Sequence, residues 1–331
     1  MKCIIKLLPV ATVLFMGMLS CDKEDEKQGG SKIETLSAEK GTYMVATLSG
    51  RVSGLESVAL DFECGIEYST DKSFSDEYST RQKVDKKYTE DSYSITVSGI
   101  QPGKKYYYRA YYINQLLIYY GEVKTFMFNM PEDVAVDLGL SVKWATFNVG
   151  ASKPEEYGDY YAWGETEAKS DYSWSTYKYC NGSSSTMTKY CNDSYFGNNG
   201  FTDTKTTLDP EDDVAHVKWG GSWRMPTKTE LSELSNNNNC TWHWTTQNGV
   251  NGYLVTSKKS GHEGASIFLP AAGTRYDTSL DDAGFCGYYW SSSLYTGGYP
   301  YDAWRHYFDS GYHSTHLCCR YYGRPVRPVC P

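Results

Sequence analysis

The stretch Tyr288-Tyr-Trp-Ser-Ser-Ser-Leu-Tyr-Thr-Gly-Gly-Tyr-Pro-Tyr-Asp-Ala-Trp-Arg-His-Tyr-Phe-Asp-Ser-Gly-Tyr-His-Ser-Thr-His-Leu-Cys-Cys-Arg-Tyr-Tyr-Gly-Arg-Pro-Val-Arg-Pro328 decides how the chain is read. Between Ser291 and Gly323 it holds no Lys, Glu, Gln, Met, Asn, Ile or Val. A set of core strands would lean on Val and Ile. Tyr, Ser, Gly and His instead give a composition close to an antibody paratope, where Tyr supplies rigid amphipathic contact area and Ser and Gly supply adaptable spacing. The expectation is a recognition surface that the rest of the chain delivers and supports.

Length allows about two domains beyond a targeting segment. All nine Trp lie at or after Trp144 and all six His at or after His216, so the composition changes near residue 131. A net charge of -8 argues against a nucleic-acid partner, which would want a basic face.

Upstream of that change the chain reads as short strands between turns: Val45 to Val52, Phe62 to Ser69, Ser92 to Ser98, Tyr106 to Ile113 and Leu117 to Phe126. Tyr106, Tyr108, Ala110 and Tyr112 alternate onto one face. Ile100-Gln-Pro-Gly-Lys-Lys-Tyr106 resembles the tyrosine corner of fibronectin type III domains, which implies a β-sandwich over residues 32 to 129. The resemblance carries no catalytic motif, and a spacer role is expected.

The first residues carry Lys2, Lys6 and a short apolar run from Leu7 to Leu19, too short to span a membrane. Met-Leu-Ser-Cys21 resembles a bacterial lipobox, with residues 1 to 20 as signal peptide and Cys21 as the lipidated residue. An ordinary cleaved signal is the alternative. Residues 21 to 31 read as an acidic flexible tether, resembling the export tag of surface lipoproteins of the Bacteroides group. The implied location is the outer membrane at the cell surface.

Beyond residue 131, Asp137 to Gly150 reads as a buried strand pair, and Thr166 to Thr207 as a long polar loop, either functional or a packed insertion. Two helices have a mechanism. Asp209 is read as an N-cap with Pro210 at the first helical position and Glu211, Asp212 and Asp213 in the first turn. That helix turns Val214, Ala215 and Val217 inward and stops at Gly220-Gly221. Thr227-Lys-Thr-Glu230 is a capping box opening a second helix with Leu231 and Leu234 as its stripe.

Six ordered motifs lie here: Leu138-Gly-Leu-Ser-Val-Lys-Trp-Ala145, Gly158-Asp-Tyr-Tyr-Ala-Trp-Gly-Glu165, Trp219-Gly-Gly-Ser-Trp-Arg-Met-Pro-Thr227, Ile267-Phe-Leu-Pro-Ala-Ala-Gly273, Tyr289-Trp-Ser-Ser292 and Val326-Arg-Pro328. Together they resemble the Fibrobacter-type major paralogous domain of Bacteroides-group surface proteins. That domain is similar to the C-type-lectin-like fold of the formylglycine-generating-enzyme superfamily. The resemblance implies a fold that is mainly β with two short helices, a C-type-lectin-like α+β domain over 132 to 331. It extends to the variable proteins of diversity-generating retroelements. Mutagenesis at adenines of codons ending in C cannot produce Lys, Glu, Gln or Met, and the segment lacks all four. A family that simply favours Tyr would look similar.

The function this implies is a lipid-anchored surface protein that binds an extracellular protein or glycan, as in adhesion, through residues 288 to 323. The candidate contacts are Tyr295, Tyr299, Tyr301, Asp302, Arg305, His306, Tyr307, Tyr312, His313, His316, Tyr321 and Tyr322. Tyr and Arg are enriched at interface hot spots. A binding patch needs Tyr295, Tyr301, Tyr312 and Tyr321 clustered and facing solvent. Trp290, Trp304, Phe308, Val326 and Arg327 read as framework, and strand alternation groups His306 with Trp304 and Phe308, which makes it the least secure contact. A carbohydrate-binding module of a glycan-uptake system is one rival. An oxidase using Cys318 and Cys319 is the other, and no pocket joining that pair to a basic residue is expected. No catalytic residue, cofactor or metal is assigned, because His306, His313 and His316 lack tight zinc-type grouping and Asp209, Glu211, Asp212 and Asp213 lack an EF-hand pattern. Cys180 and Cys191 are the guessed disulfide pair, and Cys64 reads as a buried free thiol.

Overall fold

A computed structural model describes residues 32–41, 44–54, 62–84, 92–114 and 117–331. The expected signal peptide, tether and Cys21 lie outside these. The described chain is mainly β with two short helices. Among the described residues, no helix is long and apolar enough to cross a membrane.

The first eight strands are β1 (Lys32–Lys40), β2 (Val45–Ser53), β3 (Phe62–Ser69), β4 (Ser79–Lys83), β5 (Ser92–Ser98), β6 (Tyr106–Asn114), β7 (Leu117–Tyr120) and β8 (Lys124–Phe126). They form two antiparallel sheets, ordered β1-β2-β5 and β4-β3-β6-β7, with β8 also on β6. Alternate residues of both sheets meet in one core: Ala46, Leu48 and Val52 with Ile95 and Val97, against Ile66, Tyr106, Tyr108 and Ala110. Gln101 N donates to the Tyr106 hydroxyl at 3.1 Å, tying β6 to the connection before it. Cys64 is a buried free thiol there, pushed up to about 11 by burial. The single strand expected over Leu117 to Phe126 is two, because the chain turns at Gly121, whose N donates back to Ala110 O.

The remaining strands are β9 (Ala135–Val136), β10 (Lys143–Ala145), β11 (Cys240–Gln247), β12 (Val250–Ser257), β13 (Ser266–Pro270), β14 (Thr274–Tyr276), β15 (Ser279–Asp281), β16 (Gly287–Leu294), β17 (Asp302–Asp309), β18 (Tyr312–Cys319) and β19 (Val329–Cys330). The helices are α1 (Val214–Trp219) and α2 (Lys228–Leu234). Of the buried strand pair expected over Asp137 to Gly150 only β10 forms, and its partner β9 lies just before that stretch. Asp137 Oδ1 accepts from Gly139 N and Gly139 takes a φ of 69°, which turns the chain instead.

Helix α2 opens on the capping box read from sequence: Thr227 accepts from Glu230 N, and Glu230 accepts from Thr227 N. Leu231 and Leu234 are buried as expected. Helix α1 differs. Asp209 makes no cap, and Pro210–Asp212 form a separate 3-10 turn. Asp213 is the cap, accepting from His216 N, and Trp219 is buried where Val217 was expected. Capping requires an extended residue immediately before the helix, and Asp213 occupies that place.

The terminal sheet β16-β17-β18 positions everything that follows. Its register pairs Tyr289 with His306 and His306 with Thr315. One face, carrying Tyr289, Trp304, His306, Phe308 and His313, turns toward β11 and β12. Tyr289 and Phe308 join Tyr253, Leu231 and Leu234 in one buried cluster. The Trp242 ring stacks on His313 at 4.4 Å and meets His306 at 5.0 Å. Strand β16 bulges after Trp290. The bulged serines dock other elements: Ser292 N donates to Pro226 O, and Lys228 N to Ser293 Oγ at 3.0 Å.

His306 is 1% exposed, and neither ring nitrogen has a hydrogen-bond partner. Burial first, then the charges of His313 and Arg305, push it down to about 3. The unfolded chain, ordinary at 6.5, therefore binds a proton that the folded chain refuses. Stability is complete above pH 6.5 and falls as the pH drops toward 3, by up to about 1.4 kcal/mol per pH unit. Urea unfolding between pH 7 and 5 should give a smaller loss for His306→Phe than for the parent, and equal slopes would refute this account of His306. Gly287 sits opposite Phe308, and a Cβ there would overlap the Phe308 ring. Gly287→Ala should cost about 1–3 kcal/mol in the same assay.

Candidate functional site

The other face of the terminal sheet carries Tyr288 and Trp290 from β16, Arg305 and Tyr307 from β17, and Tyr312, His316 and Cys318 from β18, by the same alternation. Trp290 is fully buried, with Nε1 donating to Tyr161 O, whereas the other six are only partly covered or exposed. Tyr288 and Tyr307 rings lie 5.2 Å apart, and Tyr307 reaches Tyr312 at 6.2 Å and His316 at 6.0 Å. The Tyr312 hydroxyl and His316 Nε2 are 3.2 Å apart.

This cluster continues into a belt. Tyr321 and Tyr322, in the turn after β18, stack at 4.7 Å, and Tyr322 meets Tyr276 of β14 at 5.2 Å. Trp174 lies 4.7 Å from Tyr321 and 6.3 Å from Tyr301. Tyr301 then meets Tyr299 at 5.5 Å and Phe196 at 5.2 Å, and Phe196 meets Tyr195. Arg324 bridges the halves, its guanidinium 5.2 Å from the Tyr322 ring and 5.3 Å from Tyr288. The rings at the edge stand open: Tyr195 is 78% exposed, Tyr299 52% and Tyr312 48%.

Eight of the twelve candidate contacts therefore share one belt: Tyr299, Tyr301, Arg305, Tyr307, Tyr312, His316, Tyr321 and Tyr322. Four do not. His306 is buried and His313 is stacked under Trp242, both because alternation turns them to the core face. Tyr295 packs edge-on against Trp304 at 5.8 Å with its hydroxyl on Gly297 O, away from Tyr301, Tyr312 and Tyr321. The required clustering of Tyr295 with those three is thus not met. Asp302 is partly covered, and burial raises its pKa.

Sequence reasoning missed Trp174, Tyr195, Phe196, Tyr276 and Tyr288. The signal available was the aromatic content of the loop from 166 to 207. That loop is both packed insertion and surface. Tyr172, Tyr177, Tyr179 and Tyr190 are buried, and their hydroxyls meet buried acceptors, as Tyr177 does on Trp163 O at 2.8 Å. Between them the loop lifts Trp174, Tyr195 and Phe196 against the terminal segment.

Adjacent residues of a strand face opposite ways, so Cys318 and Cys319 are separated. Arg324 Nη2 lies 2.8 Å from Cys318 Sγ. A basic residue thus reaches one member of the pair, Cys318, while Cys319 turns to the opposite face. Cys319 is pushed up to about 12, by burial first and then by Asp302, which disfavours the thiolate that reactivity requires. All eight described cysteines are free. Cys180 and Cys191 are not a pair: Cys180 Sγ turns to Trp174 O and Cys191 Sγ to Asp193 O. Among the described residues Asp209, Glu211 and Asp212 could converge on a cation. Lys189 Nζ already sits there, 2.7 Å from Asp209 and 2.6 Å from Asp212. His316 faces away from His306 and His313, so the three do not form a ligand set.

No family model matches the chain, and no curated protein does. Among solved structures, the chain is similar to the sensor domain of the anti-sigma factor RsgI4 of Pseudobacteroides cellulosolvens. The long form is 17% identical over 30% of this chain and 89% of its own, with a TM-score of 0.24. The solution structure of that domain is 18% identical over 30% of this chain and 75% of its own, with a TM-score of 0.25. Likeness at this level carries no argument about function.

Proposed function

We propose that the chain is a cell-surface lipoprotein, anchored through Cys21 in the outer membrane, that binds an extracellular protein through the aromatic belt. The observation that carries the reading is the run of the belt from Tyr195 to Tyr312, two ring clusters joined through the buried Arg324 and assembled from the long loop, the β14 hairpin and the terminal strands. Aromatic surface of this extent, mixed with Arg and His, is the chemistry of protein hot spots. A protein is preferred over a glycan because the ring faces are occupied by each other. Trp174 and Tyr301 meet at 88°, and Phe196 and Tyr301 at 70°, which leaves edges and hydroxyls outward rather than flat faces for sugar stacking.

The finer fold readings belong to the same proposal. Two facing sheets with the Tyr106 hydroxyl bonded to Gln101 N support a fibronectin type III-like spacer. The six sequence motifs of the second half meet in its cores, as a shared C-type-lectin-like frame would require: Trp163 Nε1 donates to Ser291 O, and Arg224 pairs with Val329. Diversification of the segment is favoured by one observation. Trp290, Ala303, Phe308 and Val326 are buried, whereas the eight belt residues of the segment are not. That reading expects a reverse transcriptase gene nearby and a near-copy of the 3′ end differing at adenines; their absence from the neighbouring DNA would remove it.

The binding reading is tested by probing arrays of extracellular proteins and glycans with the purified protein. A protein ligand should be captured, and Trp174→Ala with Tyr299→Ala should weaken capture at least tenfold, while Tyr78→Ala, an exposed ring far along the chain in β4's approach, leaves it unchanged. Capture that survives the double variant, or capture of neutral glycans alone, would overturn it.

A further inference from the structure

Within the belt, two guanidinium groups share one aromatic ring. Arg305 lies 4.9 Å and Arg324 5.3 Å from the Tyr288 ring centroid. Arg305 also lies 5.2 Å from Tyr307, and Arg324 4.4 Å from Trp290. Among the described residues, no carboxylate forms an ion pair with either. Acidic groups on the ring walls are engaged elsewhere: Asp282 accepts from the Tyr288 hydroxyl at 2.7 Å, and Asp309 from the Tyr307 hydroxyl at 2.9 Å, while Asp302 feels the charges of Arg320 and Arg324 without an ion pair to either. Arg324 is 1% exposed, with Nε on Thr274 Oγ1 and Nη2 on Cys318 Sγ, and its Nη1 is buried without a partner. Nε and Nη1 of Arg305 are likewise buried and unpartnered, although the residue as a whole stays partly exposed.

Two like charges held together, Arg324 fully and Arg305 partly buried, with three nitrogens lacking a hydrogen-bond partner, form an arrangement that costs free energy until a counter-charge arrives. Guanidinium groups present paired donors that match an oxyanion. The aromatic walls exclude water and sharpen the attraction. We infer that Arg305 and Arg324 form a receptor for the carboxylate of an acidic side chain on the bound protein, with Tyr288, Tyr307 and Tyr322 as its walls. The inference rests on the binding reading, since the site lies inside the belt. Burial first, then the neighbouring charge of Arg324, push Arg305 down to about 10, and Cys318 and Tyr288 offset only part of that.

The test uses the whole chain and sodium acetate as probe, so it does not require the macromolecular ligand. Arginine Nε–Hε signals are followed by NMR while acetate replaces chloride at constant ionic strength, with acetamide as neutral control and sulfate as the second oxyanion. The Arg305 signal should shift saturably with acetate and not with acetamide. Arg305→Gln should raise the acetate dissociation constant at least tenfold, and Arg305→Lys by less. In chloride, the melting temperature of Arg305→Gln should equal or exceed that of the parent, because a repelling charge is gone. An unsaturable shift, an equal response in Arg305→Gln, or a response to sulfate alone would overturn the inference. Acetate binding seen only after Cys318→Ser would assign the counter-charge to the thiolate and overturn it equally. If acetate binds but the arrays capture no acidic protein, the receptor stands and the binding reading fails.

Discussion

Arg327 is fully buried and has no carboxylate partner, yet every one of its nitrogens reaches a neutral oxygen. Nε donates to Asn148 Oδ1 at 2.8 Å, Nη1 to the carbonyls of Ala145 and Thr146 at 3.0 and 2.9 Å, and Nη2 to Phe268 O at 2.9 Å. A buried charge is tolerated only when so bonded, and each charge-assisted bond contributes about 1.5–3 kcal/mol. The strain of burial remains visible in a pKa pushed down to about 10. This one side chain fastens the last residues of the chain to the end of β10, to the turn after it and to β13. Tyr289 of β16 donates its hydroxyl to Pro270 O at 2.8 Å, so both β16 and the segment after β18 are tied to β13.

Arg320 repeats part of the device at the long loop, with its own Nε left buried and unpartnered. It is fully buried, donates to Lys189 O at 3.2 Å and Tyr190 O at 3.1 Å, and packs over Trp163 and Tyr177. A loop with almost no regular structure must satisfy its backbone by other means. Here the Arg320 guanidinium and a tyrosine hydroxyl do so, Lys169 N donating to the Tyr172 hydroxyl at 3.2 Å; the hydroxyls themselves anchor the loop, Tyr172 donating to Tyr160 O at 2.6 Å and Tyr190 to Asp212 at 2.7 Å. The abundance of Tyr thus has two physical causes in one molecule. Inside, the ring fills volume and the hydroxyl reaches a buried acceptor. Outside, the same residue type offers an amphipathic rim. Arg324, between Arg320 and Arg327, differs in that its unpartnered Nη1 lies in the belt, beside the second guanidinium of Arg305.

Strand alternation and helix capping were the legible parts of the fold. β3 and β5 have the ends that their alternating residues imply, and Thr227 and Glu230 close the box that their spacing implies. β1 and β4 were not legible, because Ser79–Lys83 is polar throughout and the few apolar residues of Lys32–Lys40, Ile33, Leu36 and Ala38, do not alternate strictly. Asp209 and Asp213 are equally good caps by type, and only the backbone chooses between them. For the site, composition pointed to the segment that carries most of the belt, and alternation warned against His306. Composition could not say which face of β17 and β18 turns outward, nor that Trp174 and Phe196, more than a hundred residues before Tyr299, complete the belt. Those facts depend on long-range packing of a loop whose local sequence specifies no element.

The claim at the centre of this account is that recognition occurs on the outer face of the terminal sheet and the loop beside it. Hydroxyl-radical footprinting of the protein with its captured ligand measures this directly, residue by residue. The account predicts protection at Trp174, Tyr299, Tyr312 and Tyr321 together, with Trp242 and Tyr253 unchanged. Protection confined to the exposed residues of the first half, such as Leu117, Ile118 and Tyr119, would contradict it.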